Sequence, residues 1–100
     1  MFNFDGKVAI VTGSGSERGI GKATAEMLAG QGATVVLCDL NKDGVMKNVK
    51  SIQDAGGKAI GIELDVTSKE SVDAMLEEVL SNFDRIDILV NVAGICQKIT

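Results

Sequence analysis

Residues 8–21 constrain the fold of this chain more than any other stretch. They begin as the apolar run Val8-Ala9-Ile10-Val11 and then pass through glycines at positions 13, 15, 19 and 21 into a helical pattern. A phosphate-binding loop needs glycine because a side chain would keep the backbone N–H groups away from the phosphates, and because tight turns often require a positive φ angle. The stretch therefore predicts a strand, a phosphate-binding loop and a helix N-terminus, and it favours a dinucleotide ligand. The alternative is a purely structural turn.

Four apolar runs alternate with helical patterns along the chain. The runs cover residues 7–12, 33–38, 58–64 and 86–92. The first of these runs is almost purely apolar, as is typical of a strand buried on both faces of a parallel sheet. The order βαβαβαβ predicts an α/β fold with a parallel sheet and right-handed crossover connections. No repeat, linker or charge block marks a second domain.

Capping residues and glycines mark the ends of the predicted helices. Asn41 can cap the second helix, and Thr67-Ser68-Lys69-Glu70 has the form of a capping box, which predicts Thr67 as the N-cap of the third. Glycines at positions 30 and 32 are placed to end the first helix. The apolar positions expected to pack are Ile20, Ala23, Met27 and Leu28 in the first helix, Val45, Met46, Val49 and Ile52 in the second, and Val72, Met75, Leu76, Val79, Leu80 and Phe83 in the third.

The composition limits the class of partner. Of the 100 residues 45% are hydrophobic, which is enough for one small domain with a core, and the net charge of −4 provides no basic surface for nucleic acid or an anionic membrane. A small molecule fits better as a partner. No apolar run approaches the roughly 18 residues of a membrane span, and the first five residues lack the pattern of a signal peptide. We therefore expect a cytoplasmic protein.

The cysteines do not indicate a metal centre or a disulfide framework. Cys38 lies in an apolar run and Cys96 near the C-terminus, there is no Cys-x-x-Cys motif, and the chain contains no histidine. We expect two reduced thiols and no metal site, with Cys38 as a small buried hydrophobe.

The position of Asp39 indicates which ligand the glycine loop binds. It lies 18 residues beyond Gly21, at the end of the second predicted strand, where a carboxylate can accept hydrogen bonds from the hydroxyls of an adenosine ribose. A 2′-phosphate there would meet a like charge, at a cost of about 4 kcal/mol per unit charge at 4 Å and an effective dielectric near 20. NAD is therefore favoured over NADP. Arg18 favours NADP instead if its guanidinium pairs with a phosphate. Asp39 could also be merely a polar strand end that leads into the helix cap.

Together these residues resemble the N-terminal half of a classical short-chain dehydrogenase/reductase. The resemblance covers nearly all 100 residues and rests on Thr12-Gly13, Gly19-Ile20-Gly21, Asp39, Asp65-Val66 and Asn91-Val92-Ala93-Gly94, in this order. It implies a Rossmann-like, doubly wound sheet with strand order 3-2-1-4. It also implies an oxidoreductase that transfers hydride between a nicotinamide cofactor and an alcohol or ketone.

The resemblance assigns cofactor-binding roles by position. Around the pyrophosphate and adenosine it places Gly13, Ser16, Arg18, Gly19, Ile20 and Gly21. Around the ribose and adenine it places Asp39, Leu40, Asp65 and Val66, and along the central cofactor groove Asn91, Ala93 and Gly94. Three structural alternatives stay open. Asp65 could merely precede the Thr67 cap, Asn91 should need hydrogen-bond partners near the end of a buried strand, and Gly94 could serve a turn.

Two departures from the family pattern matter. Five residues separate Gly13 from Gly19, where the family usually has three, so either the loop carries an insertion or Gly15 takes the role of the first glycine. The family's chemistry also rests on a Tyr-x-x-x-Lys pair, and this sequence contains no tyrosine. We therefore assign no catalytic residue and expect the 100 residues to be inactive alone.

The implied strand order leaves the fourth strand as an unpaired apolar edge. Such edges recruit partners, so we expect self-association, with a homo-oligomer as the assembly, or a longer polypeptide of which this is the N-terminal part. Two other functions stay open, a non-catalytic nucleotide-binding or subunit-interaction fragment and an S-adenosylmethionine-dependent methyltransferase half. The element Asn91-Val92-Ala93-Gly94 counts against the methyltransferase.

Overall fold

The described residues form four strands, β1 (Val8–Thr12), β2 (Thr34–Asp39), β3 (Lys58–Glu63) and β4 (Ile88–Asn91), which are all parallel and lie in the order β3-β2-β1-β4, as expected. The computed structural model describes residues 3–13, 15 and 19–92. In the central strand, Ile10 lies opposite Val36 of β2 and Leu89 of β4. The described helices are α1 (Ile20–Gly30), α2 (Lys42–Asp54) and α3 (Lys69–Phe83).

The sheet is covered by two helices on one face and by one on the other. On the first face, Ala9, Val11, Val35 and Leu37 pack with buried residues of α1 and α2. On the second face, the alternate strand positions pack with α3. The cluster on this second face consists of Val8, Ile10, Val36, Cys38, Leu64, Met75 and Val79. The alternation follows from the two-residue period of a strand, and it confirms that β1 is buried on both faces, as β2 largely is, whereas β3 and β4 are only partly buried.

The face that α1 presents to the sheet differs from the predicted one. Leu28 is buried as expected, but Ile20 and Met27 are exposed, at 67% and 61% of their surface. The other buried residues of α1 are Gly21, Ala25 and Ala29, and the two alanines belong to the cluster on this face of the sheet. Large side chains would hold the helix away from the sheet, whereas glycine and alanine allow close approach. The hydrophobic period therefore predicts the helix correctly but misplaces its packed face by favouring the larger residues.

The cap of α3 is Ser68, so the prediction of Thr67 is wrong by one residue. The Ser68 side chain accepts a hydrogen bond from the backbone N–H of Ser71 at 3.2 Å. The hydroxyl and backbone N–H of Thr67 both donate to Asp65, which draws Thr67 into a turn that precedes the helix. The predicted cap of α2 is confirmed, because the Asn41 side chain accepts from the N–H of Gly44 at 3.1 Å.

The last strand is shorter than the predicted run of residues 86–92 because a polar turn precedes it. Asp84 ends α3 in the left-handed conformation, with φ of 62°. Asp87 then ties the start of β4 to the central strand. Its backbone N–H donates to the carbonyl of Val8 at 2.9 Å, and its carboxylate accepts from the N–H of Val8 at 2.8 Å. The Arg85 guanidinium donates to both oxygens of the same carboxylate, from Nε to Oδ2 and from Nη2 to Oδ1, each at 2.8 Å.

These contacts make the stability of the protein depend on the ionisation of Asp87. Hydrogen bonds from Arg85 and from the N–H of Val8 lower the pKa of Asp87 from 3.8 to about 2. A lowered folded-state pKa stabilises the protein above the unfolded-state pKa, and this stabilisation is lost as the pH falls from about 4 through 2. We expect Asp87→Asn to lower the free energy of unfolding near neutral pH and to lose this part of its pH dependence. Urea unfolding between pH 6 and pH 2 measures both effects.

Asp73→Asn is the matched control for that measurement. Asp73 pairs with Lys69 at 3.9 Å, and both side chains are largely exposed. Such surface pairs contribute little. An equal response of the two variants between pH 4 and pH 2 would contradict the role assigned to Asp87.

Cys38 is fully buried beneath α3, as expected of a small hydrophobe. Burial and the nearby charges of Glu78 and Asp39 raise the pKa of its thiol from 9.0 to about 12. The thiolate is therefore scarce at neutral pH, and Cys38 is a packing residue. Cys96 lies outside the described residues.

The longest of the three described helices, α3, has 15 residues. Within the part of the chain that the structure describes, no helix has the length and apolar character that crossing a bilayer would require.

Candidate functional site

The residues predicted to bind a cofactor meet at the carboxyl ends of the strands. Parallel strands bring their carboxyl ends to one edge, and ligands of open α/β sheets bind at that edge. Thr12 of β1 lies opposite Cys38 of β2 and Asn91 of β4, and Asp39 lies opposite Glu63 of β3. The predicted positions within the described residues are Gly13, Gly19, Ile20, Gly21, Asp39, Leu40, Asp65, Val66 and Asn91. Ser16, Arg18, Ala93 and Gly94 lie outside them.

Gly13 and Gly15 serve the loop in two different ways. Gly13 has φ of +73°, a conformation that side chains strongly disfavour, so it makes the turn out of β1. Gly15 is buried against Asp39, and a Cβ atom placed on it would lie 2.9 Å from the Asp39 Cγ. The sequence left open whether Gly13 or Gly15 takes the role of the first glycine. In the structure both positions favour glycine, because position 13 has a positive φ and position 15 closely approaches Asp39.

Asp39 connects the glycine loop to the start of α2. One carboxylate oxygen, Oδ2, accepts from the backbone N–H of Gly15, and the other, Oδ1, accepts from the N–H of Asn41, both at 3.0 Å. A carboxylate has about four lone-pair positions, so two bonds leave capacity for hydroxyl donors. The Asp39 side chain is half-buried, which leaves part of it accessible to a ligand. The polar strand end and the ribose acceptor are thus compatible roles of one side chain.

The start of α1 differs from the starts of the other two helices. Asn41 and Ser68 cap α2 and α3, and each of these helices has an acidic residue in its first turn. The N-cap of α1 is Gly19, which has no side chain to accept from the first N–H groups, and the first turn of α1 contains no acidic residue. A helix N-terminus carries a partial positive charge and N–H donors that suit a phosphate. In α1, no capping side chain accepts from these N–H groups, and no acidic residue of the first turn offsets the partial positive charge.

Three large apolar side chains are exposed near this edge. Ile20 begins α1, while Leu40 and Val66 follow the carboxyl ends of the neighbouring strands β2 and β3. Their exposed fractions are 67%, 63% and 37%. Exposed apolar side chains beside polar ones are a common feature of ligand sites, and an aromatic base would be a suitable contact for Leu40 and Val66.

Asp65 shapes the loop after β3. Its Oδ1 accepts from the hydroxyl of Thr67 at 2.6 Å and from the N–H of Thr67 at 2.9 Å, and these two bonds lower the pKa of the Asp65 carboxyl. Its own N–H donates to the Ser71 hydroxyl at 3.0 Å. Asp65 therefore organises the turn before α3, as the structural alternative holds, and among the described residues no hydrogen bond is recorded to its second oxygen.

Asn91 finds its partner in the central strand. The hydroxyl of Thr12 donates to the Asn91 Oδ1 at 2.9 Å and lies 3.4 Å from the carbonyl oxygen of Val90. Thr12 is buried, so its hydroxyl needs such an acceptor. The bond holds the ends of β1 and β4 together beside the glycine loop. Asn91 itself is exposed, so the expectation of a buried amide that needs partners is wrong, and the bond instead serves the buried Thr12 hydroxyl.

Two features of the site have no strong signal in the sequence. The bond between Gly15 and Asp39 joins residues 24 positions apart. Gly44 lies in the first turn of α2 and packs against the same loop. A glycine inside a predicted helix is unfavourable, and this is the one signal that could have drawn attention to Gly44.

A comparison with known families decides which kind of α/β protein this is. A sequence model of the family described as short chain dehydrogenase matches residues 7–100. The chain belongs to the short-chain dehydrogenase family. Within this family, the 7alpha-hydroxysteroid dehydrogenase of Escherichia coli strain K12 is 42% identical over 99 residues, which cover 94% of this chain and 38% of that enzyme.

Solved structures of short-chain dehydrogenases match the fold. One from Burkholderia phymatum, in complex with NAD, is 38% identical with a TM-score of 0.82, over 89% of this chain and 31% of that protein. A metagenomic short-chain oxidoreductase in complex with NADP is 35% identical with a TM-score of 0.81, over 86% of this chain and 38% of that protein. The chain thus spans little more than a third of the length of the short-chain dehydrogenases that it matches.

Proposed function

We propose that this chain is the cofactor-binding portion of an oxidoreductase that moves hydride between a nicotinamide dinucleotide and an alcohol or ketone. The observation that carries the proposal is the position of Asp39, which ends β2 beside a glycine loop and accepts hydrogen bonds from both the loop and α2. Membership of the short-chain dehydrogenase family and the dinucleotide complexes of similar proteins support it. They also favour it over an S-adenosylmethionine-dependent methyltransferase.

The residues fit such a cofactor at three points. The uncapped N-terminus of α1 would face the pyrophosphate, with Gly13 and Gly19–Gly21 admitting the phosphates to the backbone N–H groups. Asp39 would accept from the ribose hydroxyls. Leu40 and Val66 would contact the adenine ring, and Asp65 would accept from its amino group. Ser16, Arg18, Ala93 and Gly94 remain proposed members of the site on the family resemblance.

NAD is proposed in preference to NADP. A second phosphate on the ribose would lie against the negatively charged Asp39 carboxylate, which accepts from the neutral backbone N–H groups of Gly15 and Asn41 among the described residues. Similar proteins bind either NAD or NADP, so the preference is an inference from Asp39.

Within the described residues, the protein binds and orients the cofactor rather than performing the proton transfer. The bound nicotinamide supplies the carbon that accepts or donates hydride. Exchange of a proton with the substrate oxygen needs a phenol with a nearby cation in this family, and the 100 residues contain no tyrosine. We propose that turnover requires residues that this sequence does not contain, in a cytoplasmic homo-oligomer. Leu89 of the edge strand β4 is exposed and is suited to a further contact.

Titration calorimetry tests the proposed ligand. We expect NAD to bind more tightly than NADP, S-adenosylmethionine not to bind, and ADP-ribose to keep most of the NAD affinity, because the described residues face the adenosine and pyrophosphate. Binding of S-adenosylmethionine alone would overturn the proposal. A preference for NADP over NAD would overturn the role given to Asp39.

A further inference from the structure

We propose that Gly44, a residue of α2, positions the glycine loop for dinucleotide binding and thereby sets the affinity for NAD. The inference rests on the proposed function and extends it to a residue outside the expected ribose and phosphate contacts. Gly44 is buried three residues beyond the N-cap Asn41 and packs directly against Gly15 of the loop.

The space at Gly44 is too small for any side chain. A Cβ atom at position 44 would overlap the carbonyl oxygen of Gly15 and would lie 2.7 Å from the Asn41 Nδ2. Real Cβ atoms essentially never approach other heavy atoms closer than 3.0 Å. The obstacle is backbone rather than the end of a flexible side chain, so the loop or the helix would have to move.

The backbone conformation does not require glycine at this position. Positive φ angles occur at Gly6, Gly13, Gly32 and Gly56 among the described glycines, and Gly44 is not one of them. Glycine is also the least favourable helix residue apart from proline. Close approach of α2 to the loop is therefore the physical reason for glycine at position 44.

Gly15 is held by α2 and by Asp39 together. Its N–H donates to the Asp39 Oδ2, while the Asp39 Oδ1 accepts from Asn41, the residue that caps the helix containing Gly44. A methyl group at position 44 would push Gly15 away from α2 and break its bond to Asp39. The carboxylate would lose a donor and its fixed orientation, so a ligand that uses this carboxylate would bind more weakly.

The test compares NAD affinity in Gly44→Ala with two matched glycine variants. Loss of one hydrogen bond to a charged group corresponds to about a tenfold or greater loss of affinity, which we expect for Gly44→Ala. Gly57→Ala also crowds α2, but at its far end, where the Cβ would lie 2.7 Å from the Ile52 side chain. Gly30→Ala faces open space. We expect both controls to keep the wild-type affinity, and thermal melts report any general loss of stability.

A thermodynamic cycle with Asp39→Ala separates positioning from general damage. If Gly44 acts through Gly15 and Asp39, Gly44→Ala should change NAD affinity less than about twofold in the Asp39→Ala background. An undiminished loss in that background, or an equal loss in Gly57→Ala, would overturn the inference. Failure of the wild-type protein to bind NAD would instead overturn the proposed function, so the two failures are distinguishable.

A second variant keeps the test decisive if Gly44→Ala does not melt cooperatively. Gly15→Ala enters the same contact from the loop side, where its Cβ would lie 2.9 Å from the Asp39 Cγ and 3.1 Å from the Asn41 carbonyl oxygen. We expect this variant to lose NAD affinity, and we expect the loss to shrink when Asp39 is also replaced by alanine. Additive losses would contradict the proposed coupling.

Discussion

Replacing Asp39 with alanine is expected to weaken NAD binding by about ten- to a hundredfold and to abolish the preference for NAD over NADP. The range corresponds to hydrogen bonds from ligand hydroxyls to a charged acceptor. The affinity for NADP should fall less, because the same substitution removes a like charge beside the 2′-phosphate. Calorimetric titration of both cofactors gives the two dissociation constants. We expect the ratio of the NADP dissociation constant to the NAD dissociation constant to fall.

Glu63→Ala is the control for the loss of one negative charge at this edge. Glu63 lies opposite Asp39 on β3 and is exposed. We expect it to change neither dissociation constant more than about twofold, since exposed charges are screened. Asp39→Asn separates charge from shape, because it keeps the size of the side chain and removes its charge. An unchanged ratio of NAD to NADP affinity in both Asp39 variants would refute the assignment.

The second large effect is expected from Ile10→Ala, which should lower the free energy of unfolding by about 2–5 kcal/mol. Ile10 is fully buried in the central strand, between Val36 and Leu89 of the neighbouring strands and against the cluster beneath α3. Truncation to alanine removes buried methyl and methylene groups and leaves a cavity that the sheet can close only in part. Since small domains are typically stable by about 5–15 kcal/mol, the variant would lose a large share of its stability.

Urea unfolding without cofactor measures this loss, because a bound ligand would add its own stabilisation. Met27→Ala serves as the control. Met27 lies on α1 with 61% of its surface exposed, so its truncation should cost less than about 1 kcal/mol. Similar losses of unfolding free energy in the two variants would contradict the conclusion that Ile10 belongs to the hydrophobic core.

Much of this fold could be predicted from local sequence patterns. All five residues of β1 are buried, as an almost purely apolar run implies, and the Asn41 cap could be predicted from the residue type before a helical pattern. The strand order and the family followed from the resemblance. Asp39 is a predicted ligand residue because its spacing from the glycine loop places a carboxylate at the end of the next strand, and the structure places it at that strand end.

The incorrect expectations arise where a short-range pattern competes with contacts between distant residues. The packed face of α1 consists of glycine and alanine, which contribute little to a hydrophobic pattern but permit close packing. The N-cap of α3 is Ser68 rather than the predicted Thr67, because the Thr67 hydroxyl donates to Asp65. The carboxylate of Asp87 bonds to Val8, 79 residues away in the chain, and no periodicity reports such a pair.

The two bonds of Asp39 have a consequence for the entropy of binding. An unconstrained aspartate at a strand end samples several rotamers, and a ligand that selects one of them opposes that freedom. Here each carboxylate oxygen already accepts from a backbone N–H, one in the loop and one at the helix start. Both side-chain torsions are therefore fixed in the folded protein, and at the proposed site the ribose hydroxyl groups would meet an acceptor whose ordering was completed during folding.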